Sequence, residues 1–142
     1  MSVQTAAGAA ATSTQVRLRD AAVPAIGMVA IATTAIAHIP VAVAHLTEVP
    51  YLGVAFYGFV ILSAALFGSL LVEQQAGTWA ALFALNATAV VVYVVSRIFG
   101  LPRAADDKGD WINVAGVVSV GAELVVVMVA LVMVRRLRRR FG

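Results

Sequence analysis

Four long apolar segments, separated by short polar stretches, make up most of the chain. They cover about residues 21–45, 51–72, 78–98 and 111–134. Each is at least as long as the roughly 20 residues needed to cross a hydrocarbon layer of about 30 Å. Because a backbone in lipid must satisfy its own hydrogen bonds, each segment is predicted to be a transmembrane helix. The valine-rich runs would favour strands in water, but their length favours helices in a bilayer.

The connections between these segments are short, which favours antiparallel neighbours. The sequence therefore predicts an all-α fold, a four-transmembrane-helix antiparallel bundle over residues 21–134. Residues 1–20, of which 1–15 are small, polar and uncharged, are expected to form a disordered cytoplasmic tail. Residues 135–142, with the sequence RRLRRRFG, are expected to form a basic cytoplasmic tail.

The distribution of basic residues indicates the orientation of the bundle. Seven of the ten Lys and Arg residues lie before the first segment or after the fourth, and the connection EQQAG has none. The positive-inside rule then places both termini in the cytoplasm and the connections 46–50 and 99–110 outside. A multi-pass protein of the cell (inner) membrane is expected. Tyr51, Trp79 and Trp111 lie near segment ends, as an aromatic belt at the membrane surface predicts.

Composition agrees with lipid as the solvent. The chain is 62% hydrophobic and 12% charged, whereas about a quarter of the residues in soluble domains are charged. It contains no cysteine, which excludes disulfides, thiolate metal sites and thiol catalysis. The net charge of +3 does not indicate nucleic-acid binding, because the basic residues lie in the tails and not on one basic and aromatic face.

The ionisable residues His38 and Glu123 lie well inside predicted spans, away from the span ends. A carboxyl group at the bilayer centre costs about 2.5–3.5 kcal/mol on insertion scales, so such a residue is by default a functional-site candidate. The expected partners of His38 are Glu123, Asn86, Ser96 and Arg97. Two interpretations stay open: structural hydrogen bonds such as Asn86–Glu123, or a role in binding a metal or moving protons.

Further polar residues concentrate at the predicted outer end. His45 and Glu48 are three residues apart, and a His-x-x-Glu pair on one helical face can ligate a metal. Asp106, Asp107 and Asp110 precede the fourth segment, where Asp107 or Asp110 is expected to cap the helix. The alternative for His45 and Glu48 is that they are ordinary interfacial polar residues.

If the first and third connections meet, these residues form one outward-facing cluster above His38 and Glu123. Nitrogen and oxygen ligands of this kind suit a divalent ion, copper or zinc. The candidate metal ligands are therefore His38, His45, Glu48, Asp107, Asp110 and Glu123, with Asn86 and Arg97 as further site residues.

Two stretches carry a resemblance to a known group. HLTEVP supplies His45, Glu48 and Pro50, and SRIFGLPRAADDKGDW supplies an SR-x-x-GLP pattern followed by Asp107 and Trp111. Over roughly residues 37–123 the chain resembles small four-helix integral membrane proteins of high-GC actinobacteria, whose pattern also includes Glu123. That group has no assigned activity, so the resemblance implies a topology and a role in the cell envelope.

Two classes of function follow. In the first, the protein is an accessory subunit of a larger membrane complex, and its polar residues fix helix packing or bind another membrane subunit or a second copy. The alternative is a stand-alone membrane protein that binds copper or zinc or conducts protons. Enzyme activity of the chain by itself is not expected, because no nucleophile–base pair lies in a recognisable context.

Overall fold

A computed structural model describes the backbone of residues 3–141 and the side chains of residues 21–139. Within that range the chain forms four α-helices and no β-strand. The helices are α1 (Val3–Glu48), α2 (Pro50–Val72), α3 (Ala76–Phe99) and α4 (Val114–Phe141), with a short 3₁₀ helix at Ala105–Asp107. The predicted all-α four-helix fold is confirmed.

All four helices are long and apolar enough to cross a membrane. The candidate spans are Ala21–Glu48, Pro50–Val72, Ala76–Phe99 and Val114–Arg139, with hydropathies of 1.9, 2.1, 1.8 and 2.7. The shortest span has 23 residues, or about 35 Å at 1.5 Å per residue, which exceeds a hydrocarbon layer of about 30 Å. The predicted spans are therefore confirmed in number.

The ends of two helices differ from the predicted segments. The helical backbone of α1 starts at Val3, and its candidate membrane span starts at Ala21. The side chains of residues 1–20 lie outside the described part, and the predicted disordered tail stays a prediction. Helix α4 starts at Val114 and continues through the basic residues 135–139. The basic segment thus extends the last helix instead of following it.

Three connections of unequal length join the helices. A single residue, Val49, separates α1 from α2, and Pro50 occupies the first turn of α2, where its missing N–H and fixed φ cost nothing. Residues 73–75 join α2 to α3, and residues 100–113 join α3 to α4. We call the end with Val49 and residues 100–113 the upper end, and the end with residues 73–75 the lower end.

Local chemistry sets both boundaries of the 100–113 loop. Helix α3 stops at Gly100, whose φ of 78° lies in the left-handed region that glycine adopts without strain. The side chain of Asn113 accepts a hydrogen bond from Gly116 N at 3.3 Å and caps α4. The predicted caps Asp107 and Asp110 were wrong, because the loop runs three residues beyond Asp110 before the helix begins.

The lower half of the bundle holds a continuous apolar core. Trp79 is fully buried there, and its indole N–H donates to Gln74 Oε1 at 3.0 Å. The prediction of Trp79 as a belt residue was therefore wrong, because its ring packs among core residues of all four helices and does not face the membrane surface. The core residues are Ala30, Ile31, Leu70, Trp79, Leu82, Val126, Ala130 and Met133.

The four helices do not pack evenly around the bundle axis. Helix α1 packs against α2 and α4, and α3 packs against α4, whereas α2 and α3 make much less contact with each other. In the upper half the space between α2 and α3 is an open cleft. The fold thus combines a densely packed lower half with an upper half that contains this open cleft.

Candidate functional site: an intramembrane cleft

The cleft has a volume of about 700 Å³ and is lined by residues of all four helices. Most of its lining is apolar. Leu62 of α2 and Val92 of α3 line the cleft and are 53% and 43% exposed. The cleft is therefore open on the side between α2 and α3, which faces lipid in a membrane.

A group of four buried polar residues lies deep in the bundle beside this cleft; we call it the polar group. Its members are Thr34, His38, Ser119 and Glu123, and the last three line the cleft. His38 Nε2 lies 3.5 Å from Glu123 Oε1. The hydroxyl groups of Thr34 and Ser119 donate to the same Glu123 oxygen at 3.5 and 3.3 Å. The polar group therefore joins α1 to α4.

The hydrogen bonds of His38 fix its ring orientation. Its Nδ1 lies 2.8 Å from the carbonyl oxygen of Thr34, and a carbonyl only accepts, so Nδ1 carries a proton. Its Nε2 is left to face Glu123. A hydrogen bond between Nε2 and the carboxyl group needs one proton, which either partner can carry.

The second oxygen of Glu123 has no partner. Glu123 is 2% exposed, and its Oε2 makes no hydrogen bond with any described residue. Asn86 does not supply it, because Asn86 Nδ2 donates to Leu82 O of its own helix at 2.9 Å and its Oδ1 is unpartnered. The Asn86–Glu123 hydrogen bond expected from the sequence is therefore not formed.

Of the four expected partners of His38, Glu123 alone contacts it. Ser96 donates to Tyr93 O at 2.7 Å, and Arg97 contacts the loop above. Sequence reasoning missed Thr34 and Ser119. A signal was present, because Thr34 lies four residues before His38 and Ser119 four before Glu123, the spacing that places side chains on one helical face.

His45 lines the same cleft nearer its upper end. Its Nδ1 lies 2.9 Å from Val41 O, so this ring too directs Nε2 away from its own backbone. Phe56 of α2 lies between the two imidazoles, with centroid distances of 5.3 Å to His38 and 5.4 Å to His45. Both histidines thus face one cavity at different depths.

Arg97 closes the upper end of the cleft. Its guanidinium pairs with Asp107 Oδ1 at 2.9 Å, donates to the Asp107 carbonyl at 2.9 Å and lies 4.7 Å above the Tyr93 ring. Arg97 is 9% exposed, and its Nε has no hydrogen-bond partner among the described residues. The pair anchors the 100–113 loop to α3.

The predicted outer cluster does not form. Glu48 and Asp110 are exposed, and Asp107 is engaged with Arg97. Over residues 21–139, no three His, Asp or Glu side chains lie close enough to share a metal ion. The start of α2 and the 100–113 loop do meet, since the Tyr51 hydroxyl donates to Pro102 O at 2.7 Å, but this contact does not bring the acidic residues together.

The four spans and their short connections define a multi-pass integral membrane protein. Comparison of the chain with protein families, with curated proteins and with solved structures finds no match. The resemblance to actinobacterial membrane proteins, the cell membrane as the location and the cytoplasmic termini stay predictions.

Proposed function

We propose that this protein is a small membrane-embedded binding subunit whose cleft receives one lipid-soluble guest molecule. The observation that carries the proposal is the unpartnered Oε2 of buried Glu123 beside a cleft of about 700 Å³. Ligand sites are typically mostly apolar cavities of about 300–1,000 Å³ with a few polar groups. A buried polar atom without a partner costs free energy, and a guest would supply the missing hydrogen bond.

The route of entry follows from the packing of the helices. The cleft is open between α2 and α3, where lining residues are exposed. A guest dissolved in the bilayer would enter from the side without crossing water, so apolar molecules with a small polar head are the favoured class.

A cleft-filling substitution tests this function. Ala89 lines the cleft, whereas Ala84 of the same helix is exposed and lies outside the lining. The wild type, Ala89→Phe and Ala84→Phe proteins are extracted in polymer-bounded discs of native membrane, and their lipid-soluble molecules are quantified by mass spectrometry. We expect one compound to be enriched with the wild type and Ala84→Phe and lost with Ala89→Phe. Identical contents in all three would overturn the proposal.

A role as an accessory subunit of a larger membrane complex is compatible with guest binding. The end of the 100–113 loop and the start of α4 leave apolar side chains outside the bundle: Ile112 is 87% exposed and Val114 is 78% exposed. In an accessory subunit these side chains pack against another membrane subunit. Co-purification in mild detergent of a stoichiometric partner that Ile112→Asp loses and Lys108→Gln keeps would support this role. Retention of the same proteins by both variants would contradict it.

Binding of copper or zinc, or proton conduction, is the alternative function. It is supported by the His38–Glu123 contact of 3.5 Å and by His45 in the same cleft. These side chains do not by themselves complete the three- or four-ligand set of a typical zinc site. Elemental analysis of purified wild type, His38→Ala and His45→Ala tests the metal-binding form of this alternative: one metal per chain that both variants lose supports metal binding, and none above background in the wild type contradicts metal binding.

A further inference from the structure

We infer that the polar head of the guest is a neutral aromatic ring bearing a hydroxyl group, of the phenol or quinol class. This inference rests on the proposed guest-binding function and names the ligand class of that site. Three features of the cleft carry it: the aromatic side chains in its walls, the hydrogen-bonding capacity of the polar group and the pairing of Arg97, the basic residue of its lining, with Asp107.

Flat rings line the cleft on both sides, beside the polar group on the α1–α2 side and nearer the upper end, below Arg97 and Trp111, on the α3 side. On the α1–α2 side, the His38 ring lies 4.5 Å from Phe59 and 5.3 Å from Phe56 between centroids. On the α3 side the lining includes Tyr93. Aromatic rings pack favourably against one another in tilted and offset arrangements, beyond the gain from apolar burial. A planar guest therefore fits these walls better than a flexible alkyl chain does.

The polar group requires a head that both donates and accepts. Glu123 Oε2 accepts a hydrogen bond when the carboxyl group is ionised and donates one when Oε2 carries a proton. A hydroxyl group satisfies either state, whereas a carbonyl group satisfies only the second. The hydroxyl of Ser119, which lies 3.3 Å from Glu123 Oε1, provides a neighbouring second contact for the same head.

A charged head is disfavoured in this cleft, whether its charge is negative or positive. An anionic head would lie beside the carboxyl group of Glu123 and would find Arg97 already paired with Asp107 at 2.9 Å. A cationic head would have to leave water for a mostly apolar cleft, at a cost of several kcal/mol. A neutral hydroxyl group avoids both costs.

Three matched probes separate the ring from the hydroxyl group. The protein in lipid nanodiscs is titrated with para-nonylphenol, with dodecanol, which has the hydroxyl but no ring, and with nonylbenzene, which has the ring but no hydroxyl. Native mass spectrometry counts the probe molecules bound per chain. We expect para-nonylphenol to bind about tenfold more tightly than either of the others, because dodecanol loses the ring contact and nonylbenzene loses the hydrogen bond.

Two phenylalanine variants test the contribution of the aromatic wall of the cleft to binding. Phe56→Leu removes a ring from the cleft, whereas Phe83→Leu removes one that is 36% exposed and lies outside the lining. We expect Phe56→Leu to weaken para-nonylphenol binding about two- to tenfold and to leave dodecanol binding unchanged. Phe83→Leu should change the binding of neither probe.

The possible failures are distinguishable. If dodecanol binds as tightly as para-nonylphenol and Ala89→Phe abolishes both, the cleft binds guests and the aromatic head is wrong. If all three probes bind the wild type and Ala89→Phe equally, the proposed function fails together with this inference. Equal loss of para-nonylphenol in Phe56→Leu and Phe83→Leu would also overturn the aromatic head.

Discussion

At the scale of single residues, the contact between His38 and Glu123 is what gives the bundle a polar interior. Glu123 Oε1 accepts hydrogen bonds from the hydroxyl groups of Thr34 and Ser119 and faces His38 Nε2. One carboxyl oxygen therefore contacts three side chains. Polar contacts between membrane helices average about 0.6 kcal/mol each, with a maximum near 1.7 kcal/mol. The polar group therefore contributes to stability, while Glu123 Oε2 has no hydrogen-bond partner among the described residues.

Removal of the carboxyl group should destabilise the bundle. Glu123→Ala leaves Thr34, Ser119 and His38 without their common partner, and we expect a loss of about 1–2 kcal/mol in the free energy of unfolding. Glu123→Gln keeps an acceptor oxygen and should lose less. Unfolding in mixed detergent micelles, followed by circular dichroism, measures both. Leu124→Ala, at a position that is 47% exposed, is the control, and losses no larger than the control's would contradict the prediction.

The Arg97–Asp107 pair should hold the upper loop. In Asp107→Asn the carbonyl contact at 2.9 Å remains, but the charge opposite the buried guanidinium is lost. Because the Asp107 side chain is 37% exposed, we expect a modest loss of about 0.5–1 kcal/mol and faster hydrogen exchange in residues 100–113. Exposed Asp106 has no such partner, so Asp106→Asn should exchange like the wild type. Equal exchange in all three proteins would show that the pair does not hold the loop.

At the scale of helices, the junction of α1 and α2 is the tightest element of the fold. One residue separates the helices, and Gly53 lies against the backbone of Leu46. A Cβ added at Gly53 would lie 2.5 Å from Leu46 N and 2.7 Å from Leu46 Cα. No flexible side chain can move aside there, so the close approach of the two helices requires glycine.

Gly53→Ala should therefore open this junction. We expect a loss of about 1–3 kcal/mol, the usual cost of overpacking, measured by thermal unfolding in detergent. Gly68 of the same helix has nothing within 4 Å of a built Cβ, so Gly68→Ala should be neutral or more stable by up to about 1 kcal/mol through helix propensity. A Gly53→Ala protein as stable as Gly68→Ala would contradict the close approach of α1 and α2 at Gly53.

At the scale of the whole molecule, the bundle divides into a packed lower half and an open upper half. Trp79 and Leu82 fill the space between the helices below, and the cleft occupies the corresponding space above. The open half therefore holds the candidate site, while the closed half holds the four helices together.

Orientation in the membrane is testable because the chain has no cysteine. Asp106→Cys places a thiol at the upper end and Gln75→Cys places one at the lower end, both at exposed positions. If the positive-inside rule holds, a membrane-impermeant maleimide should label Asp106→Cys in intact spheroplasts and Gln75→Cys only after lysis. The reverse pattern would show that the upper end faces the cytoplasm.

The number of helices and the all-α fold class could be predicted from the sequence alone, because the length and the hydropathy of a segment are local properties of the chain. A run of 23 apolar residues has to be helical in lipid wherever its neighbours lie. The same reasoning found His38 and Glu123, since an ionisable residue inside a span needs a partner or water. It could not place Trp79 or choose among the partners of His38, because rotation about each helix axis is set by packing between helices.

The sequence by itself thus determined that this is a membrane bundle of four helices with a histidine and a carboxylic acid inside. Tertiary structure alone decided that His38 meets Glu123 and not Asn86, that Asp107 binds Arg97 and does not join His45, and that α2 and α3 separate into a cleft. The physical reason is that helix formation depends on neighbours along the chain, whereas these contacts join residues such as Thr34 and Glu123, which are 89 positions apart.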